Sequence, residues 1–411
     1  MYEAADTMSP RTLAKAFVRL VTVTVILALL VGGSTVVLSV VAPSSLGFAF
    51  HAQLVDQGAS PTLAPEGTAA YTMRFRNVGL GPWQRGTDKQ VNLGISGDSH
   101  TWADAGIAEG WMSPTRVATT DESVVLPGMI GTFTFNVRAP KTPGTYRIPM
   151  RLVVDGLTWL DDVPAVLVLT SDLGFHDQLV DQPLHPTLAP GETSLPLTVR
   201  FRNTGARTWT RGVAGQQVNL GVIADDKSMF ALAAGWPSAD RVATQTEPVV
   251  GPGSVATFTF RVKAPMTAGI FPLHLRLVAD GVTWLEDEDV ITLITVGATA
   301  GSPNKPISTT SPKFTVGATV QPATAVPGAS VTLTATFTSS VASDPILGVE
   351  VYSPGGATLA FQKWIHSDTF AAGQQRTYPI TWSVPAGASL GTYSVTVSAY
   401  SSGWKDRKSV V

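Results

Sequence analysis

The 411-residue chain contains no cysteine. Disulfide scaffolds, thiolate metal sites, iron–sulfur clusters and thiol catalysis are therefore excluded together. Charge is scarce as well: 14% of residues are charged, against roughly 25% in an ordinary soluble protein. The formal net charge of −2 provides no basic field for nucleic acid. Six histidines leave little material for a histidine-based active site. Apart from one N-terminal apolar run, no stretch carries a sustained helical period. Turn formers, by contrast, are abundant, with 38 glycines and 29 prolines set between apolar segments. That pattern reads as many short strands rather than disorder.

The apolar run, residues 20–42, has no charged side chain, and 14 of its 23 residues are Leu, Ile or Val. As a helix it would span about 35 Å, enough to cross a hydrocarbon core of about 30 Å. Arg11, Lys15 and Arg19 precede it, and no Lys or Arg follows until Arg74. The positive-inside rule places residues 1–19 in the cytoplasm as a short stub and the bulk of the chain outside. A cleaved signal peptide is the alternative, with Val40-Val41-Ala42 as a loose cleavage site. Its apolar region is normally shorter, and Pro43 would directly follow the cut. Both readings export the body of the protein.

An internal repeat of about 125 residues follows. Phe50-His51-Ala52-Gln53-Leu54-Val55-Asp56-Gln57 returns as Phe175-His176-Asp177-Gln178-Leu179-Val180-Asp181-Gln182. Arg74-Phe75-Arg76-Asn77-Val78-Gly79 returns as Arg200-Phe201-Arg202-Asn203-Thr204-Gly205, and Gln90-Val91-Asn92-Leu93-Gly94 as Gln217-Val218-Asn219-Leu220-Gly221. Arg116-Val117-Ala118-Thr119 and Asp155-Gly156-Leu157-Thr158-Trp159-Leu160 also recur, at Arg241 and Asp280. A period this long marks duplication of a whole domain. Within each copy, apolar and polar residues alternate with the period of half-buried antiparallel strands, and Pro-Gly and Asn-X-Gly mark turns. The expected fold class is all-β: tandem immunoglobulin-like sandwiches at 46–171 and 172–297, behind a single N-terminal transmembrane helix. Without a disulfide, the tryptophans must fill the core. Trp83, Trp111 and Trp159 of the first copy correspond to Trp209, Trp236 and Trp284 of the second. Trp102 has no counterpart, Phe230 being nearest, so it is the candidate for a private contact.

These motifs together resemble a known family. Asn-X-Gly followed by Trp (Asn77, Gly79, Trp83; Asn203, Gly205, Trp209) combines with Ala-Pro (Ala139-Pro140; Ala264-Pro265) and a closing Asp-Gly-X-X-Trp. The set resembles the four-tryptophan (FW) domain, the immunoglobulin-like central domain of selective-autophagy cargo receptors, which also occurs in exported bacterial proteins. The resemblance covers about 46–297 and implies a protein-binding sandwich without catalytic chemistry. One departure stands out: where the family has Trp-Arg-Leu, this chain has Met150-Arg151-Leu152 and Leu275-Arg276-Leu277. A groove that used the missing indole is not expected here.

Residues 298–312 form a Gly/Ser/Thr/Pro linker. Residues 313–405 form a third β unit that does not repeat the first two. Val351-Tyr352-Ser353-Pro354, Trp382-Ser383-Val384-Pro385 and Gly391-Thr392-Tyr393 make it similar to the immunoglobulin-like accessory modules of exported bacterial proteins. Trp382 lies in an alternating strand and is expected in the core, while Trp364 and Trp404 sit near turns and could stack on sugar rings. Residues 406–411 read as a translated sequencing-adapter scar, since GAT CGG AAG AGC GTC GTG would encode them. The native chain would then continue past Lys405.

No catalytic constellation emerges. The acidic pairs Asp161-Asp162 and Asp225-Asp226 and the run Glu286-Asp287-Glu288-Asp289 lack an Asp-X-Asp-X-Asp-Gly calcium loop, so a solvated strand end is expected rather than a metal site. His51 with Asp56, and His176 with Asp181, are expected as structural pairs, because metal binding would need a third ligand. No Gly-X-Ser-X-Gly elbow or phosphate loop is present. The expected function is non-catalytic binding or presentation at a bacterial envelope, with no cofactor or metal. The expected partners are the membrane and an envelope protein or glycan, but no nucleic acid. The alternative is the anchor and stalk of an exported glycosidase or peptidase whose catalytic domain follows residue 405.

Overall fold

A computed structural model of the chain describes residues 49–160, 164–297 and 314–404, and the backbone of a strand at Arg407–Val410. The expected stub and anchor, the Asp161-Asp162 pair and the 298–312 linker lie outside these residues. Among the described residues no helix is long and apolar enough to cross a membrane. Among the described residues the regular structure is all-β apart from short helical turns such as Thr101–Asp104 and Lys227–Leu232. One compact unit holds the first repeat copy, and a second holds the second copy together with the third module.

In the first copy, Thr68–Asn77 buries Tyr71, Met73, Phe75 and Asn77, every second residue. A strand's period of two puts these on one face. Ile130–Arg138 pairs with it, setting Met73 opposite Phe133 and Tyr71 opposite Phe135. Ala52–Gln57 and Ala108–Glu109 complete this four-stranded sheet. The second sheet runs Thr62–Leu63, Ala165–Ser171, Gly144–Val154, Asn92–Ile95, Arg116–Thr119, with Thr158–Trp159 paired to Gly144–Val154. Its inward residues Leu93, Met150, Leu152 and Leu167 close the core over Trp83 and Phe133.

The second copy repeats this order. Asp177–Asp181, Leu197–Asn203 and Val255–Phe260 form one sheet. Thr187–Leu188, Val290–Val296, Gly269–Ala279, Val218–Val222 and Arg241–Thr244, with Thr283–Trp284, form the other. Even the irregularities recur: the first strand shifts register between Leu54 and Asp56, and again between Leu179 and Asp181. The sequence repeat is thus a repeat of topology and register. Met150 and Leu275, which open the Met-Arg-Leu and Leu-Arg-Leu triplets, are both fully buried. Large apolar side chains of comparable size keep such a core filled.

The third module packs Phe314–Gln321, Ser330–Ser339 and Gln375–Ser383 against Leu359–Ile365, Ile346–Tyr352 and Ser394–Tyr400. Phe337, Leu347, Val349 and Val397 are fully buried between the two sheets. Arg407–Val410, within the segment read as an adapter scar, pairs antiparallel with Ser394–Tyr400 at the edge of the second sheet. Such pairing uses backbone groups alone and does not depend on the side chains the segment carries.

The tryptophans divide into two kinds. Trp83 and Trp209 are wholly buried, and Trp236 and Trp382 are nearly so. Trp111 is half-buried and donates its indole N–H to the Asn136 carbonyl at 2.9 Å, as Trp236 does to Arg261. Trp159 and Trp284, expected in the core, are instead half-buried, each against a glycine of the neighbouring strand.

Candidate functional site

The repeated Gln-Val-Asn-Leu-Gly, Arg-Val-Ala-Thr and Asp-Gly-X-X-Trp motifs converge on one cluster in each copy. Gln90 donates to Asn92 at 2.8 Å, Asn92 to Asp155 at 2.7 Å, and Arg116 Nε to the same carboxylate at 2.7 Å. The Arg116 guanidinium then lies 5.2 Å above the Trp159 ring. That ring covers Gly94, where a Cβ would meet it at 3.0 Å. The second copy rebuilds the chain through Gln217, Asn219, Asp280, Arg241 and Trp284, over Gly221. Burial works against the Asp155 charge, but Arg116 and Asn92 outweigh it and hold the carboxyl below its ordinary range. Duplication of the whole arrangement marks it as structural.

The histidine–aspartate pairing expected within Phe-His-X-Gln-Leu-Val-Asp-Gln is not what the second copy shows. His176 instead bridges Asp172, at 3.0 Å, and Glu286. Asp181 takes Arg200 at 2.8 Å across the strand pair, as Asp56 takes Arg74. The register places those residues opposite one another, whereas His176 precedes the strand and lies outside this pairing. The Asn-X-Gly turns are also more than turns. Buried Asn203 accepts from the Gly205 N–H and donates to the Arg207 and Val250 carbonyls, so one side chain ties three segments.

The most elaborate site lies within the second unit, where the second sandwich meets the third module. Trp364 and Trp404, expected as surface rings for sugar, are 3% and 8% exposed. They pack with Tyr400 and Ile346 of their own module against Ile291 and Leu293 of the second sandwich. The two indole centroids are 4.8 Å apart and edge-to-face. Gln182 and Leu359 exchange backbone hydrogen bonds of 2.8 and 2.9 Å beside this cluster. The Gln362 side chain accepts from Gln182 and from the Ile291 N–H, and donates to Glu350.

Glu350 is fully buried. It accepts from His185 Nε2 at 2.7 Å, Gln362 at 3.1 Å and the Tyr352 hydroxyl at 3.0 Å. The Leu293 N–H donates to His185 Nδ1, which fixes the ring as the tautomer carrying its proton on Nε2. Burial opposes the Glu350 charge, yet His185, Gln362 and Tyr352 prevail and hold its carboxyl below the ordinary glutamate value. Lys363 adds an ion pair to Asp289 across the same seam. Sequence reasoning missed this site because its partners lie far apart in the chain. The one signal was the pair of tryptophans, and it pointed to solvent.

Trp102 sits on the short Thr101–Asp104 helix, half-buried against the first core, while Phe230 of the second copy is 51% exposed. In the third module, Trp382 and Tyr393 line an apolar cleft of about 380 Å³ with Val320, Val351 and the exposed Leu390.

No family model and no curated protein matches the chain. Among solved structures it is similar to a protein of Corynebacterium diphtheriae described as membrane anchored, with 14% identity over 87% of this chain and 88% of that one, at a TM-score of 0.26. Dimeric latent PorU from Porphyromonas gingivalis is matched at 12% identity over 88% of this chain and 33% of that one, at a TM-score of 0.19. A chimeric titin Z1Z2 is matched at 11% identity over 60% and 96%, at 0.20.

Proposed function

We propose that the chain is a membrane-anchored binding and presentation protein of a bacterial envelope. In this reading residues 20–42 are the anchor, the stub is cytoplasmic, and two FW-type sandwiches and an immunoglobulin-like module stand outside. It performs no catalysis, and its partner is an envelope protein or glycan. The observation that carries this reading is the locked seam around Glu350, because a presenter must hold its outer module in a fixed pose on the module beneath it. The seam would serve the stalk of an exported enzyme equally, which is the second reading. The cleft beside Trp382 offers the ligand a recess of ordinary size for a binding pocket.

The test uses the full chain reconstituted in vesicles, titrated with purified envelope polysaccharide and with envelope protein extract. Saturable binding that weakens when Leu390 or Tyr393, at the rim of the cleft, is replaced by Ser supports presentation. Protease cleavage of the sandwiches on intact cells, with no saturable binding to either preparation, leaves only the stalk.

A further inference from the structure

One rim of the first sandwich carries apolar side chains that lie outside its core. Asn77 ties two turns together there. Its side-chain amide donates to the Gly81 carbonyl at 2.9 Å and the Val125 carbonyl at 3.0 Å, and its backbone N–H donates to the Met129 carbonyl at 2.8 Å. On these two turns Leu80 is 85% exposed, and Val78, Leu126 and Met129 are each about half exposed. No charged residue occurs in residues 77–84 or 124–131. Single exposed apolar residues are ordinary, but four on two joined turns form a patch of the kind that marks a contact surface. The second sandwich builds the same turns, with Asn203 bonded to the Arg207 and Val250 carbonyls. At the four positions it carries Thr204, Ala206, Gly251 and Ser254 instead. The fold therefore does not need the apolar side chains.

The same rim receives the chain from its N-terminal side. The Gly81 N–H donates to the Ala49 carbonyl at 2.9 Å, and the Val78 N–H to the His51 carbonyl at 3.1 Å. A Cβ at Gly79 would lie 2.3 Å from the Ala49 oxygen, so the entering segment and the turn are in backbone contact. Ala49 stands seven residues beyond Ala42, where the apolar run 20–42 ends, and seven extended residues reach about 25 Å at most. We propose that the rim of Val78, Leu80, Leu126 and Met129 rests in the lipid surface beside residues 20–42, a step that rests on reading that run as the anchor. Apolar groups gain by leaving water for the boundary between headgroups and acyl chains, and such partial insertion adds to an anchor rather than replacing it. Arg76, which donates to the Gly128 carbonyl of the same rim at 2.8 Å, has the sign that lipid phosphates attract. The copy that directly follows the apolar run has the apolar rim, and the copy that does not lacks it. With the rim seated, the first sandwich stands on the bilayer in one orientation instead of being held by residues 43–48 alone.

The test uses the full chain reconstituted in phosphatidylcholine vesicles. The chain has no cysteine, so a single cysteine in place of Leu80, Met129, Ala206 or Ser254 takes one environment-sensitive fluorophore. Probes at 80 and 129 should emit blue-shifted, lose most of their emission to lipid carrying a shallow nitroxide, and be shielded from aqueous iodide. Probes at 206 and 254, the same places on the second sandwich, should be quenched by iodide and not by the lipid. The triple change Val78→Thr, Leu80→Ala and Leu126→Gly, which installs the second copy's residues, should leave the 129 probe as open to iodide as the 254 probe. Alkaline carbonate extraction of the same vesicles reports separately on the anchor. If the chain is retained and the 80 and 129 probes are as wet as those at 206 and 254, the lipid contact is overturned and the anchor stands. Release of the chain overturns both. Probes shielded from iodide but out of reach of the lipid nitroxide would place protein over the rim, a second copy of the chain or a partner, and would also overturn the proposal.

Discussion

Replacing Glu350 tests the seam most directly. Its carboxylate is fully buried and accepts from three donors, all of which lose their partner in Glu350→Ala. Breaking a buried charged network by deleting one member costs about 3–5 kcal/mol. Glu350→Gln keeps an acceptor for His185 and Gln362 and turns its amide toward Tyr352, whose hydroxyl can rotate to accept, so about 1 kcal/mol is expected. A single unfolding free energy is ill-defined for a chain of several domains, so the readout must be local. The Ile291 N–H is held by Gln362 and the Leu293 N–H by His185, both through the Glu350 network. Hydrogen exchange at these two amides should accelerate about 100- to 4,000-fold in the Ala variant and no more than about tenfold in the Gln variant, at 1.4 kcal/mol per decade. The first sandwich serves as the internal control, and its exchange should not change. If Ile291 and Leu293 stay as protected in Glu350→Ala as in wild type, the network does not hold the seam.

Further outcomes follow from the seam and from the second sandwich. Gly348→Ala would place a Cβ 2.5 Å from Trp364, forcing the indole out of its cluster; a loss of about 1–3 kcal/mol and red-shifted tryptophan emission are expected. Gly205→Ala would put a Cβ 2.1 Å from the Gly174 carbonyl oxygen, a backbone atom that cannot step aside, so the second sandwich should melt first in calorimetry; Asn203→Ala, which releases two carbonyls and an N–H, should act in the same direction by about 2–3 kcal/mol. The Glu350 carboxyl titrates lower in the folded chain than its ordinary 4.5, so its contribution is complete above that pH and fades as pH falls through the lowered value. Exchange at Ile291 and Leu293 should therefore speed up below pH 4.5 in wild type, beyond the intrinsic pH trend, and Glu350→Gln should remove that excess.

Much of the fold was legible because strand periodicity is local. Tyr71, Met73 and Phe75 alternate in the sequence as they do in the sheet, and the repeat carried the same reading to the second copy. The motifs were also legible as motifs, but their physical content was not. Asn92, Arg116, Asp155 and Trp159 are scattered over 68 positions and become one stack only when Gly144–Val154 pairs with Asn92–Ile95. Likewise, a tryptophan's burial depends on what faces it. Trp364 and Trp404 sit near turns, where a lone module would expose them, and the Val290–Val296 strand of the preceding domain covers them.

The chemistry of the seam bears on what the third module can do. The second sandwich and the third module belong to one chain, and covalent linkage gives their association an effective concentration of about millimolar. Association across the seam therefore needs only a few kcal/mol to hold the module almost always in place. The Ile291–Leu293–Trp364–Trp404 cluster could supply that through apolar burial alone. The buried Glu350, Gln362 and Gln182, with the half-buried His185, add little net attraction, because desolvating them offsets most of what their hydrogen bonds return. Their effect is to reject alternatives. A module rotated by one strand position would leave a buried carboxylate and two amides without partners, at a cost exceeding the apolar gain. The polar network thus fixes the pose, and the hydrophobic cluster fixes the occupancy. Replacing Glu350 by Gln, which removes the buried charge but leaves Gln362 and His185 holding the Ile291 and Leu293 N–H groups, separates the two roles. Ile291 and Leu293 should remain covered, while a short bis-maleimide joining cysteines placed at Gln178 and Ser383, where the Gln178 side-chain amide meets the Ser383 carbonyl at 3.3 Å in the native pose, should react less selectively than in the parent. Equal cross-linking in both backgrounds would mean that packing alone sets the pose.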